Sequence, residues 1–97
     1  MKSAQTAAKS RADAAALANE LIGVMWSDMG NLSSYGSCAS YARCKDWQDK
    51  VSRQLPAGTG SVVSVNAASG AVSIQIRWTQ GSEDTHTYAT SSVVRAS

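Results

Sequence analysis

One apolar stripe constrains this chain more than any other feature in it. Ala14, Leu17 or Ala18, Leu21, Met25 and Met29 recur at the spacing of a single helical face, which predicts a helix over Lys9 to Met29. About 20 residues at roughly 1.5 Å each make a rod of some 30 Å, about the width of a small domain. Such a rod cannot bury its own face. The best apolar segments in the rest of the chain alternate with period two, so the surface that covers the stripe has to be a sheet. The expected fold is α+β: a long N-terminal helix packed on an antiparallel meander sheet, with a short second helix in the connecting region.

Toward its start the stripe thins to alanine. Ala4, Ala7, Ala8, Ala12, Ala14, Ala15 and Ala16 stand among Lys9, Arg11 and Asp13, so these turns form helix readily but bury little. Two readings fit: a helix cut from something longer, or an Ala-rich extension that frays. Gly23 interrupts the later turns at about 1 kcal/mol relative to Ala, and it either admits the close approach of another backbone or marks a bend. Gly30 and Asn31 can both take the left-handed conformation that closes a last turn.

Leu32 to Ser40 is rich in Ser, Gly and Tyr without a helical or strand period, and reads as a surface connection. A second helix is expected over Tyr41 to Gln54, because Cys44, Trp47, Val51 and Leu55 fall on one face. Its outward face carries Arg43, Lys45, Asp46, Asp49, Lys50 and Arg53, a mixture of signs typical of a solvated surface. Pro56 ends the helix and Gly58 and Gly60 follow in a turn-rich stretch. Ser61 to Asn66 reads as a strand with Val63 and Val65 inward. After a turn at Ala67 to Gly70, Ala71 to Thr79 alternates through Val72, Ile74, Ile76 and Trp78, the strongest strand pattern in the chain. Its polar face, Ser73, Gln75, Arg77 and Thr79, suits an antiparallel sheet with one side in water. A turn at Gln80 to Glu83 leads to a strand over Thr85 to Thr90 with His86, Tyr88 and Thr90 inward, continued by a last strand or extension through Val93 and Val94. The single domain then divides into a helix over residues 1–30, a loop and short helix over 31–60, and the sheet over 61–97.

The 97 residues leave room for one domain, marginal in stability without a staple. Cys38 and Cys44 could supply one. With His86 the only histidine, four-ligand zinc chemistry lacks partners, and a redox pair would be expected as C-x-x-C. A structural disulfide made in an oxidising compartment is the economical reading, closing a loop of about seven residues and contributing roughly 2 to 2.5 kcal/mol. Two free buried thiols, or chemistry at the cysteines, are the alternatives. The net charge of +2 is spread along the chain and gives no bulk electrostatic case for nucleic acid. No stretch is apolar enough to span a bilayer, and the start lacks the layout of a signal peptide.

No nucleophile, base and orienter assemble from these residues. His86 is expected as a hydrogen-bonded strand residue rather than a catalytic base. Glu83 and Asp84 are adjacent turn carboxylates that solvation explains, and Gly58 with Gly60 is a G-x-G ahead of a strand, without the rest of a phosphate-binding fingerprint. No catalytic residue, metal ligand, cofactor or small-molecule substrate is expected. Trp47 and Trp78 are assigned to the core. Trp26 flanks the stripe, and burial is preferred over exposure to a partner.

The order Arg11 to Ile22, Met25, a Tyr and Cys loop, Trp47, Leu55-Pro56-Ala57-Gly58-Thr59-Gly60, Gly70 to Trp78 and the His86 and Tyr88 strand resembles the minor pilins of type IV pili, with the PilV type the nearest likeness. The resemblance covers nearly the whole chain and rests on order and spacing rather than on one motif. It implies a pilin-like fold and an apolar N-terminal segment that anchors the protein in the inner membrane and packs in the fibre core. The 97 residues contain neither that segment, nor the prepilin cleavage motif, nor the glutamate near the mature N-terminus, so they would correspond to the soluble C-terminal part. The implied role is non-catalytic: assembly with other minor pilins and the major pilin to prime or cap the fibre, which serves adhesion, twitching motility and DNA uptake. The implied location is the cell envelope, then the extracellular pilus. The early helix face with Lys9, Arg11 and Asp13 is the candidate for subunit contacts. A pseudopilin of a type II secretion system is a rival. So is a DNA-binding pilin, which needs Arg43, Lys45, Lys50, Arg53 and Arg77 on one surface. A small secreted enzyme is a distant third.

Overall fold

The computed structural model describes residues 2–81 and 84–95, with side chains from Ala8 onward. Helix α1 runs Lys2–Trp26, a 3-10 segment Met29–Ser40, helix α2 Ala42–Gln54, and strands β1 Thr59–Asn66, β2 Ala71–Trp78 and β3 His86–Val93. The architecture is α+β, and the strands form one antiparallel sheet in the order β1-β2-β3. The molecule measures 46 × 25 × 18 Å.

The helical stripe is buried as its period requires. Ser10, Ala14, Leu17, Ala18, Leu21 and Met25 all lie inside. They meet Val72, Ile74, Ile76 and Trp78 from the inner face of β2, with Trp47 and Val51 of α2 and Leu55 just past its end packed into the same core. The Trp47 indole N–H donates to the Leu17 carbonyl at 2.8 Å and fixes α2 against α1. Gly60 lets β1 pass beneath that ring, since a Cβ there would stand 2.7 Å from it.

Helix α1 differs from the expected span at both ends. Its backbone is already helical at Lys2, and it stops at Trp26, three residues before the expected Met29. Met29 therefore leaves the stripe and is exposed, and so is Trp26, at 44%. The physical reason is a competing structure downstream. Leu32, Tyr35 and Cys38 are buried at a spacing of three, the period of a 3-10 helix rather than of an α-helix or strand. The stretch expected as a structureless connection is thus part of the core wall, broken only at Asn31 and Ser37.

Strand β1 carries the other correction. The register jumps between Val62 and Ser64, so Val63 has no partner on β2 and is 61% exposed. This bulge inverts the alternation ahead of it: Val62 and Val65 pack on the core, and Val63 points to solvent. The β1–β2 turn is closed by Asn66, whose side-chain oxygen accepts from the amides of Ala68 and Ser69 at 3.0 and 3.1 Å. Gly70 completes it with φ +81, a region that favours glycine. β3 is a single strand in unbroken register from Ala71↔Val93 to Trp78↔His86, with Val93 exposed and Val94 buried.

Candidate functional site

Two surfaces of this fold have a chemistry of their own: a polar junction where α1 gives way to the 3-10 segment, and the outward side of α1.

Asp28 organises the junction. It sits just past the end of α1 with a side chain only 9% exposed. The Asn31 amide donates to Oδ1 at 2.9 Å, and the Tyr35 and Tyr41 hydroxyls both donate to Oδ2, at 2.9 and 2.5 Å. Arg43 approaches the same oxygen at 3.9 Å. The two tyrosine rings meet edge to face with centroids 5.1 Å apart. Donation from Asn31, then from Tyr41 and Tyr35, with the Arg43 charge added, outweighs desolvation and lowers the Asp28 carboxyl from 3.8 to about 2. The phenols move the other way: burial and then donation to Asp28 raise Tyr35, while donation to Asp28 and then burial raise Tyr41. An ionised carboxylate so supplied with donors joins α1, the 3-10 segment and the start of α2.

The Cys38–Cys44 disulfide forms, with Cα atoms 4.8 Å apart, and ties the end of the 3-10 segment to the first turn of α2. Beside it Ser34, Ser37, Ser40 and Tyr41 line a shallow depression of about 250 Å³. Sequence alone does not single out Asp28. The available signal was the Asp28-x-x-Asn31 spacing next to Gly30, but nothing local shows that Tyr35 and Tyr41 return to it.

Of the three residues expected to make subunit contacts, Lys9 and Asp13 pair with each other at 3.0 Å across one helical turn. Arg11 lies over the Trp78 ring, 5.6 Å from its centroid, and His86 stacks on the same ring at 5.5 Å. The Trp78 indole N–H is buried and has no hydrogen-bond partner among the described residues. Ala8, Ala12, Ala16, Asn19, Gly23 and Trp26, at steps of four or three, are all exposed and make one uncharged strip along α1. Gly23 has open space where its Cβ would be.

The basic residues do not act as one free patch. Lys50 pairs with Glu20 at 2.7 Å, Lys45 with Asp49 at 3.3 Å, and Arg43 faces Asp28. Asp84 is exposed, whereas Glu83 lies outside the described residues. Gly58 and Gly60 pack against Leu55 and Trp47 rather than framing an anion cradle. Among the described residues no group of His, Cys, Asp and Glu is arranged to hold a metal ion, and no helix is long and apolar enough to cross a membrane. No family model, no curated protein and no solved structure matches this chain.

Proposed function

We propose that this chain is the globular head of a minor pilin of a type IV pilus, of the PilV type, with a pilin-like fold. It joins other minor pilins and the major pilin to prime or cap the fibre, and performs no catalytic step. Before assembly the head stands on the periplasmic side of the inner membrane, held by an apolar segment continuous with α1. After assembly it is part of the extracellular pilus, through which adhesion, twitching motility and DNA uptake operate.

The observation that carries this reading is α1 itself. A 25-residue helix is buried on one side against the sheet and keeps, on the other, a long uncharged strip of small residues ending at an exposed tryptophan. Small side chains let helix backbones approach closely, as packing among subunit helices demands. The paired Lys9 and Asp13 border that strip, and Arg11 is engaged with Trp78, so the subunit contact is assigned to the alanine strip with those charges at its rim.

A pseudopilin of a type II secretion system would use the same helix and remains the second reading. The DNA-binding variant is set aside because three of its five basic residues already face carboxylates. The deciding measurement is the intact mass and N-terminal sequence of the native protein from cell envelopes. An additional apolar segment of about 25 to 30 residues, long enough to span a bilayer, with a methylated N-terminus is the expected result. A native chain starting at Met1 would overturn the proposal. Deletion of the gene then separates the two machines: loss of surface fibres for the pilus, loss of exoprotein secretion for the secretion system.

A further inference from the structure

The two edges of the sheet are not equivalent. β1 is interrupted by the bulge at Val63 and is packed by the 3-10 segment and α2. β3 is hydrogen-bonded to β2 on one side, and no described strand pairs with its other side. It is eight residues long, keeps unbroken register with β2, and contains no proline, lysine, arginine or carboxylate. Those are the devices by which an edge strand is normally kept from pairing. An edge of this kind is a template for another strand.

We propose that the open edge of β3 pairs with β3 of a second copy of this chain, antiparallel about a two-fold axis, to give a continuous six-stranded sheet. The two-fold axis sets the two copies of α1 antiparallel and draws on Trp26, so this pairing belongs to the head alone and excludes anchoring of both copies through α1 in one membrane or one fibre core.

Three observations select a second copy. The first is charge. A two-fold antiparallel pairing sets equivalent faces on the same side, so its axis passes through Ala89 or Thr90 near the middle of the strand. In either register Asp84 of one copy falls within one residue of Arg95 of the other, at both ends of the interface, and both residues are exposed. Between them the strand is free of carboxylates and of Lys and Arg, so like charges are not brought together.

The second is spacing. α1 packs across β2 and β3, while α2 lies on the β1 side. With strands about 4.8 Å apart, a helix centred over β2 and β3 stands about one strand spacing from the two-fold axis. The two copies of α1 then run about 10 Å apart, the distance at which helices pack.

The third is what α1 presents on that side. Its α2 flank is marked by Leu17 and Glu20, which hold Trp47 and Lys50. The opposite flank is marked by Arg11 above Trp78 and His86. At roughly 100° per residue, Ile22 and Trp26 lie within about 60° of Arg11, on the flank nearer the open edge. Trp26 is 44% exposed there and Ile22 only partly buried. A paired edge alone falls short of the roughly 800 Å² per partner of a standard interface, and this apolar flank supplies the remainder.

The test is sedimentation equilibrium of the oxidised 97-residue chain at low salt, from about 10 µM to about 1 mM, a range matched to a weak interface. The weight-average mass is expected to rise from 10.1 kDa toward twice that value. Ala89→Lys places an ammonium on the outward face at or beside the two-fold axis, and should weaken association at least ~10-fold. Thr87→Lys serves as the second variant should Ala89→Lys disturb the far-UV spectrum or the melting temperature. Asp84→Arg and Arg95→Asp should each weaken association ~2- to 5-fold, and the double variant should restore it. A chain that stays monomeric throughout, or one whose association is unaffected by lysine at these positions, overturns the proposal. A double charge exchange that fails to restore association overturns the antiparallel arrangement.

Discussion

The sheet with α1 and the Met29–Ser40 segment with its Asp28 junction are held by different physics. In the first, regular periods do the work: every fourth or third residue of α1 and every second residue of β2 turn inward, and burial of Leu21, Met25, Ile74, Ile76 and Trp78 follows from geometry alone. In the second, a segment without α or β period is fixed by one carboxylate, two phenols and a disulfide. The difference teaches that the periodic half should tolerate loss of any polar contact, while the aperiodic half depends on a few specific groups.

The largest expected effect breaks the periodic half. Ile76→Ala removes a fully buried side chain at the centre of β2, and should lower unfolding free energy by about 2 to 5 kcal/mol in a urea titration. A loss below about 1 kcal/mol would mean that the core between β2 and α1 is loose. Reducing Cys38–Cys44 attacks the aperiodic half and should cost about 2 kcal/mol for a loop of this size. The sheet should survive reduction, so far-UV strand signal persisting while the near-UV tyrosine signal changes would confirm the division.

Acid sharpens the comparison further. Because the folded Asp28 carboxyl titrates near 2 against an ordinary value of 3.8, the stability it contributes is intact above about pH 4 and is lost as pH falls toward 2. Asp28→Asn should remove that part of the acid dependence, read as melting temperature against pH. An unchanged profile in the variant would show that the junction is not held by charge. The smallest effect tests the bulge. Val63→Thr should change stability by no more than about 0.5 kcal/mol, while Val62→Thr, on the packed side, should cost about 1 kcal/mol or more. Equal effects at the two positions would contradict the register shift.

Much of the periodic half is legible in the residues themselves. Val72, Ile74, Ile76 and Trp78 could alternate only as a half-buried strand, and Cys44, Trp47, Val51 and Leu55 could share a face only as a helix. The alternation in sequence puts Val63 inward, and the structure puts it outward, because a bulge leaves no mark on hydrophobicity. Val62 and Val63 are chemically identical, and only pairing with Ile74 and Ser73 decides which is extra. The 3-10 segment is not legible in the sequence because its period of three is carried by Leu32, Tyr35 and Cys38 alone, among small polar residues that fit a loop equally well.

The alanine strip was in view as helix-forming sequence, but its exposure depended on which side of α1 the sheet would cover. Trp26 shows the same limit: it lies beside Met25 in sequence, yet 100° around the helix separates the buried methionine from the exposed indole.

The residues by themselves determined the two α-helices, the three strands and their order, and the turn at Ala67 to Gly70, because each rests on contacts between near neighbours. Only the tertiary structure decided that Asp28 collects Tyr35, Tyr41 and Arg43, that β1 slips by one residue, and that β3 stands at the end of the strand order among the described residues. Those depend on where distant segments meet, and the free energy of such meetings belongs to pairs of surfaces that no local window contains.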